Sequence, residues 1–133
     1  MVTNSTIAIQ NIDGTVHQIY CHYDGYIEHN GRILKTYYNT AEKVKELIAL
    51  GGMSSLAPNI VGSDAHSFDT PDKDVCVFYG RDRGESDVAV RTYLDIDTFR
   101  CQLYREEFDY LFIEAESTWY LCGENGELQS FDV

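Results

Sequence analysis

The sequence predicts an α+β fold: an antiparallel sheet built from an N-terminal hairpin and a C-terminal three-stranded meander, with two to three short helices. Three observations predict it. Short apolar runs sit at both ends of the chain, Asp-Gly or Asn-Gly separates pairs of them, and helical spacing with capping residues is confined to the interior. With 133 residues and 44% hydrophobic content, including six Phe, ten Tyr and one Trp, the chain is expected to form a single domain, 1–133, with a packed core.

Thr6-Ile7-Ala8-Ile9-Gln10 and Val16-His17-Gln18-Ile19-Tyr20-Cys21 flank a segment carrying Asp13-Gly14, which predicts two antiparallel strands. After Asp24-Gly25, apolar residues at 33, 34, 37 and 38 predict a helix over 32–38. Thr40 is an N-cap for a second helix over 41–50, whose inner face is Val44, Leu47 and Ile48 and whose end is Gly51-Gly52. Residues 53–74 have no sustained period and predict a long loop, a length usual only for functional or mobile segments. A strand over 75–79 follows, ended by a turn from Gly80 to Glu85. Asp95 caps a helix over 96–104, and 108–113, 118–122 and 127–131 read as three strands, the last two joined through Asn125-Gly126.

Charge is distributed unevenly. The formal total is −12, from 22 acids and 10 bases. Residues 1–50 hold five acids against four bases, whereas 106–133 hold eight acids and neither Lys nor Arg. A negative field repels nucleic acid and anionic membranes and steers toward basic partners, although acidity also serves solubility. In a meander, Glu106, Glu107 and Asp109 fall at the end where Glu124 and Glu127 turn the second hairpin. Glu114, Glu116 and Asp132 fall at the other end, roughly 15–20 Å away.

No apolar run approaches the ~20 residues that span a bilayer, and Met1-Val2-Thr3-Asn4-Ser5 is no leader, so a cytoplasmic, non-membrane protein is expected. Cys21, Cys76, Cys101 and Cys122 stand far apart in apolar stretches and read as buried thiols. His17, Cys21 and His22 are close in sequence, but on a strand His17 and Cys21 lie about 13 Å apart and His22 points away, so they close on one metal only with help from elsewhere, such as His66 or Cys76, and no metal or other cofactor is expected. Arg81 and Arg83, between Gly80 and Gly84, are candidate anion-binding residues, with a solvated turn as the plainer reading. Nucleophile-elbow and zinc-protease motifs are missing and paired acids are too common to specify a general acid and base, so no catalytic residue is assigned and no enzyme is expected. The run Tyr20-Cys21-His22-Tyr23-Asp24-Gly25-Tyr26 suits either core and rim or an interface, with Tyr23 and Tyr26 expected to be exposed.

Asn11-Ile12-Asp13-Gly14-Thr15, Ile19 to Tyr26, Tyr38-Asn39-Thr40, Glu42-Lys43-Val44, Leu47 to Leu56, His66-Ser67-Phe68-Asp69 and Tyr79 to Glu85 occur in an order that resembles a widespread family of small phage and prophage proteins. The resemblance spans nearly the whole chain and implies a genomic setting more than a reaction. Gly52 replaces the Asp usual in the family, and the C-terminal strands are more acidic than is usual. Small acidic phage proteins resemble, as a class, inhibitors of host defence, including anti-CRISPR proteins. That likeness implies binding to a host defence protein or complex with a basic surface, without direct contact to nucleic acid, by carboxylates that occupy a groove built for phosphates. The implied partner-binding residues are Glu106, Glu107, Asp109, Glu114, Glu116, Glu124 and Glu127, with Tyr23 and Tyr26. The rival expectations are a protein that sequesters a nucleotide signal through Arg81 and Arg83, and a phage accessory protein without inhibitory role.

Overall fold

A computed structural model describes residues 2–85, 88, 90–102 and 104–132. Strands β1 (Ser5–Gln10) and β2 (Val16–Cys21) form the expected hairpin, pairing Ser5 with Cys21 and Gln10 with Val16. Gly14 turns it with φ +95°, a backbone region that glycine enters without steric cost. Asp24 is also left-handed, at φ 58°. Gly25 then passes so close to β1 that an added Cβ would lie 2.7 Å from Ser5 Cβ. The Asp-Gly of the tyrosine run is therefore a close approach of two chain segments.

A π-helical turn over Ile27–Gly31 leads directly into α1 (Arg32–Tyr37). Helix α2 (Ala41–Ala49) begins where the Thr40 side chain accepts from Lys43 N and buries Val44, Leu47 and Ile48, the face its sequence period selects. The long segment after it starts as a short strand, β3 (Met53–Ser55), and returns through a bridge between Asn59 and Val75 to β4 (Val77–Phe78). The expected strand over 75–79 is thus shorter than its apolar run, because Tyr79 already opens a helix, α3 (Tyr79–Arg83). The expected turn at 80–85 is that helix, closed by Gly84 at φ 74°. Arg91–Tyr93 adds β5, which the sequence reading did not anticipate. Helix α4 (Ile96–Gln102) follows, with Asp95 Oδ1 accepting from Thr98 N at 2.8 Å; Leu103, inside the expected helix, lies outside the described residues. The chain closes with β6 (Phe108–Ile113), β7 (Thr118–Cys122) and β8 (Leu128–Gln129).

Among the described residues these elements form one eight-stranded sheet in the order β4-β3-β2-β1-β6-β7-β8, with β5 pairing the free part of the β2 edge. The α+β expectation holds in this coarser form, but the sheet is mixed, not wholly antiparallel. β1 pairs β6 in parallel over its full length, from Ser5 opposite Phe108 to Gln10 opposite Ile113, and β2 pairs β3 in parallel. Parallel neighbours require a long crossover. Here almost the whole interior of the chain is that crossover, and the hairpin and the meander become one sheet.

Strand alternation gives the sheet two buried faces. On the front, Ile7, Ile9, Ile19, Tyr110, Phe112 and Trp119 pack with Leu34 of α1 and Val44, Leu47 and Ile48 of α2. On the back, Ala8, Val16, Leu111, Ile113 and Cys122 pack around Phe99 of α4. Burying one such aliphatic or aromatic side chain contributes roughly 1.5–3 kcal/mol. Among the described residues, no helix is long and apolar enough to cross a membrane.

Candidate functional site

The acids expected to form one surface divide into three environments. Glu107, Glu116 and Glu124 are exposed, the first leading into β6 and the others in the turns at opposite ends of β7. Glu106, Glu114 and Glu127 are half-buried. Asp109 is buried, at 1% exposure, and is removed from any partner surface. Its position on β6 turns it to the back face, where Oδ1 accepts from Thr6 Oγ1 at 2.6 Å and from Glu106 N at 3.0 Å. Thr6 belongs to a buried polar chain. Gln18 Nε2 donates to Thr6 Oγ1 and to Tyr104 O, and Tyr93 Oη donates to Gln18 Oε1. Burial pushes the Asp109 carboxyl above its ordinary value, against the hydrogen bonds from Thr6 and Glu106.

The acidic stretch is also less free of bases in space than in sequence. Lys45 of α2 bridges to Glu114 at 2.9 Å, and Ile12 N donates to the same carboxylate at 2.9 Å. The bond from Lys45 and that from Ile12 hold Glu114 below the usual carboxylate range. At the other end Arg105 donates to Gly123 O and Arg100 to Gly126 O, which places two guanidiniums beside the turn carrying Glu124 and Glu127. Tyr120 Oη donates to Glu116. Tyr23 and Tyr26 are exposed, at 44% and 38%, Tyr23 edge-on to His22 and Tyr26 tilted against His29.

Most of the Arg81 donors are committed within the protein. Its Nε donates to Asp82 Oδ1 at 2.9 Å, Nη1 to Ile60 O, and Nη2 to Cys76 O at 2.9 Å and Asp82 Oδ2 at 3.0 Å. Arg83 faces Glu85 at 3.5 Å and lies over the Phe68 ring. Asp82 gathers this corner. It accepts from Phe78 N at 2.8 Å and lies 3.4 Å from His66 Nε2, while His66 Nδ1 accepts from Asp72 N at 2.9 Å. Burial opposes ionisation of Asp82, but Arg81 and the Phe78 amide outweigh it and hold the carboxyl below its ordinary value. The two sequence motifs around His66 and Arg81 therefore form a clasp that ties the long 56–76 segment to α3.

Of the cysteines, Cys21, Cys76 and Cys122 are buried as expected, but Cys101 is exposed, because it lies on the outer side of α4 while Phe99 takes the inner one. Burial pushes the Cys21 and Cys122 thiols up to about 12. His22 Nδ1 lies 2.6 Å from Tyr20 Oη, and Cys21 is packed with Asn30. Among the described residues, no group of three or more His, Cys, Asp or Glu is placed to hold a metal ion.

A feature that no sequence motif announces is a cleft of about 750 Å³ on the front face, where α2 leaves the end of the β1–β2 hairpin uncovered. Its floor is a row across three strands: Ile9 of β1 opposite His17 of β2, and His17 opposite Thr92 of β5. Ile48, Ala49 and Val90 form an apolar side, and Ile12, Asp13, Lys45 and Glu114 form the rim. The signal for it was indirect: it needs β5, and β5 has a mostly exposed pattern with no hydrophobic alternation to reveal it.

No family model, curated protein or solved structure matches this chain.

Proposed function

We propose that this protein acts by binding a basic partner through its acidic surface, as a phage-encoded, anti-CRISPR-like inhibitor of a host nucleic-acid-binding defence protein would. The observation that carries the reading is that Glu107, Glu116 and Glu124 stay exposed on a chain of net charge −12. They lie at the two ends of a rigid sheet, about 20 Å apart by strand length. Carboxylates held at fixed separation compete for a phosphate-binding groove by the same electrostatics as nucleic acid. Exposed Tyr23 and Tyr26 add amphipathic contact area of the kind enriched at interfaces. Asp109 takes no part, being buried, and Glu114 contributes less because Lys45 neutralises it. The nucleotide-sequestering alternative is disfavoured because most Arg81 donors are spent on Asp82, Ile60 and Cys76 and Arg83 faces Glu85.

The test is capture of a partner from bacterial host lysate by the tagged protein, at low and high salt, beside a Glu107→Gln, Glu116→Gln, Glu124→Gln variant. The reading expects a nucleic-acid-binding partner that is lost at high salt and in the variant. A partner retained by the neutralised variant would sink it.

A further inference from the structure

The cleft at the end of the β1–β2 hairpin is open to solvent and has the volume and mainly apolar lining of a small-molecule site. We propose that it binds an uncharged, planar heteroaromatic compound of about nucleoside size. Its volume, about 750 Å³, lies within the range of ligand pockets. The row Ile9, His17, Thr92 crosses three adjacent strands over roughly 10 Å; Ile9 is buried at 1% exposure, so His17 and Thr92 are the part of the floor against which a ring would lie. Ile48, Ala49 and Val90 offer that ring an apolar wall.

The floor also carries a hydrogen-bonding edge. Thr92 Oγ1 lies 3.3 Å from His17 Nδ1, which fixes the imidazole on the strand pair. Its Nε2 has no protein hydrogen-bond partner among the described residues, and it is the group that would meet a ring nitrogen or exocyclic amine. Fixing one ring nitrogen to orient the other is a common way to aim an imidazole.

Charge selects against anions. Lys45 is occupied by Glu114, and Asp13 Oδ1 accepts from both the Thr15 amide and hydroxyl, leaving Oδ2 at the rim. A phosphate entering here would face the carboxylate of Asp13 with no uncommitted cation among the lining residues, Lys45 and Glu114 neutralising each other. Neither the acidic surface nor its partner is needed for this site, so the two proposals fail independently.

The experiment is titration of the 15N-labelled protein with adenosine, the probe of an uncharged bicyclic heteroaromatic, and with AMP, the same ring bearing a phosphate. Saturable amide shifts centred on Thr15, His17, Lys45 and Thr92 are expected with adenosine, and binding of AMP about tenfold weaker or more. Ala49→Phe, an exposed helix position filled toward the cleft, should abolish the shifts without lowering the melting temperature. Should that variant fold poorly, His17→Ala is expected to weaken adenosine at least several-fold at unchanged stability. Absence of saturable shifts with adenosine overturns the proposal. So does equal or tighter binding of AMP, or adenosine binding undiminished in a folded cleft variant.

Discussion

Thr6 and Asp109 stand directly opposite each other in the parallel pairing of β1 with β6, and the Thr6 hydroxyl donates to the Asp109 carboxylate at 2.6 Å. This side-chain bond adds to the backbone ladder that joins the first strand to the acidic end of the chain, and it uses a carboxylate that its sequence context marks as surface. Oδ2 of the same group is buried without a hydrogen-bond partner among the described residues, with Arg105 at 3.9 Å.

That geometry makes stability depend on pH in a direction opposite to that of a salt-bridged acid. The native carboxyl is raised above its unfolded value, so between roughly pH 4 and that raised value the native state holds the proton more tightly. The stability this group supplies is complete below the window and is lost as pH rises through it. Asp109→Asn keeps an acceptor for Thr6 and Glu106 and should flatten this dependence, matching or exceeding the wild type at neutral pH. Asp109→Ala should cost about 1–3 kcal/mol by leaving those two donors unpaired. Urea denaturation of the three proteins from pH 3 to 8 measures both effects.

The His66–Asp82 clasp has the opposite sign. Asp82 is held below its ordinary value, so its contribution is present above the unfolded value, near pH 4, and is lost as pH falls through the native one. Asp82→Ala should release the 56–76 segment, raising amide exchange and protease cleavage there first, while β1, β2 and β6 keep their protection. Uniform loss of protection across the sheet would show that the clasp supports the whole fold instead.

Trp119 is the single tryptophan and is 4% exposed, with its ring 5.2 Å from Phe112 and Nε1 donating to Tyr38 O at 2.8 Å. Its emission should be blue-shifted and resistant to iodide, and should move to the red in a single cooperative step on unfolding. Trp119→Phe fills most of the site but leaves the Tyr38 carbonyl unpaired, at a cost of about 1–3 kcal/mol.

A thiol reagent should find one fast cysteine in the native protein and four after denaturation. Cys101 is the exposed one; Cys21, Cys76 and Cys122 are buried. Cys101→Ser should remove the fast phase and leave stability unchanged. A second fast thiol in that variant would mean that a buried one is reached by local opening.

Much of the local structure was legible because it is set by neighbours in sequence. Alternation fixes the faces of β1, β2, β6 and β7, Thr40 and Asp95 accept from amides three residues on, and the 3.6 period of α2 selects Val44, Leu47 and Ile48. Tyr79 ends an apolar run and so reads as strand by periodicity, which cannot see that pairing with β3 stops at Phe78.

The sequence by itself determined the elements at both ends of the chain, the helix faces and the size of the negative charge. Only the tertiary structure decided which of those charges reach solvent. Asp109 is drawn inside by Thr6, Glu114 is answered by Lys45, and Arg100 and Arg105 return to the turn beside Glu124. The same holds for the cleft, whose floor joins Ile9, His17 and Thr92. A strand's period is a property of adjacent residues, and a hairpin pairing such as Ile9 with His17 is set by near ones, whereas Thr6–Asp109, Lys45–Glu114 and His17–Thr92 join residues 103, 69 and 75 positions apart, and no local pattern encodes a contact made only when the sheet closes.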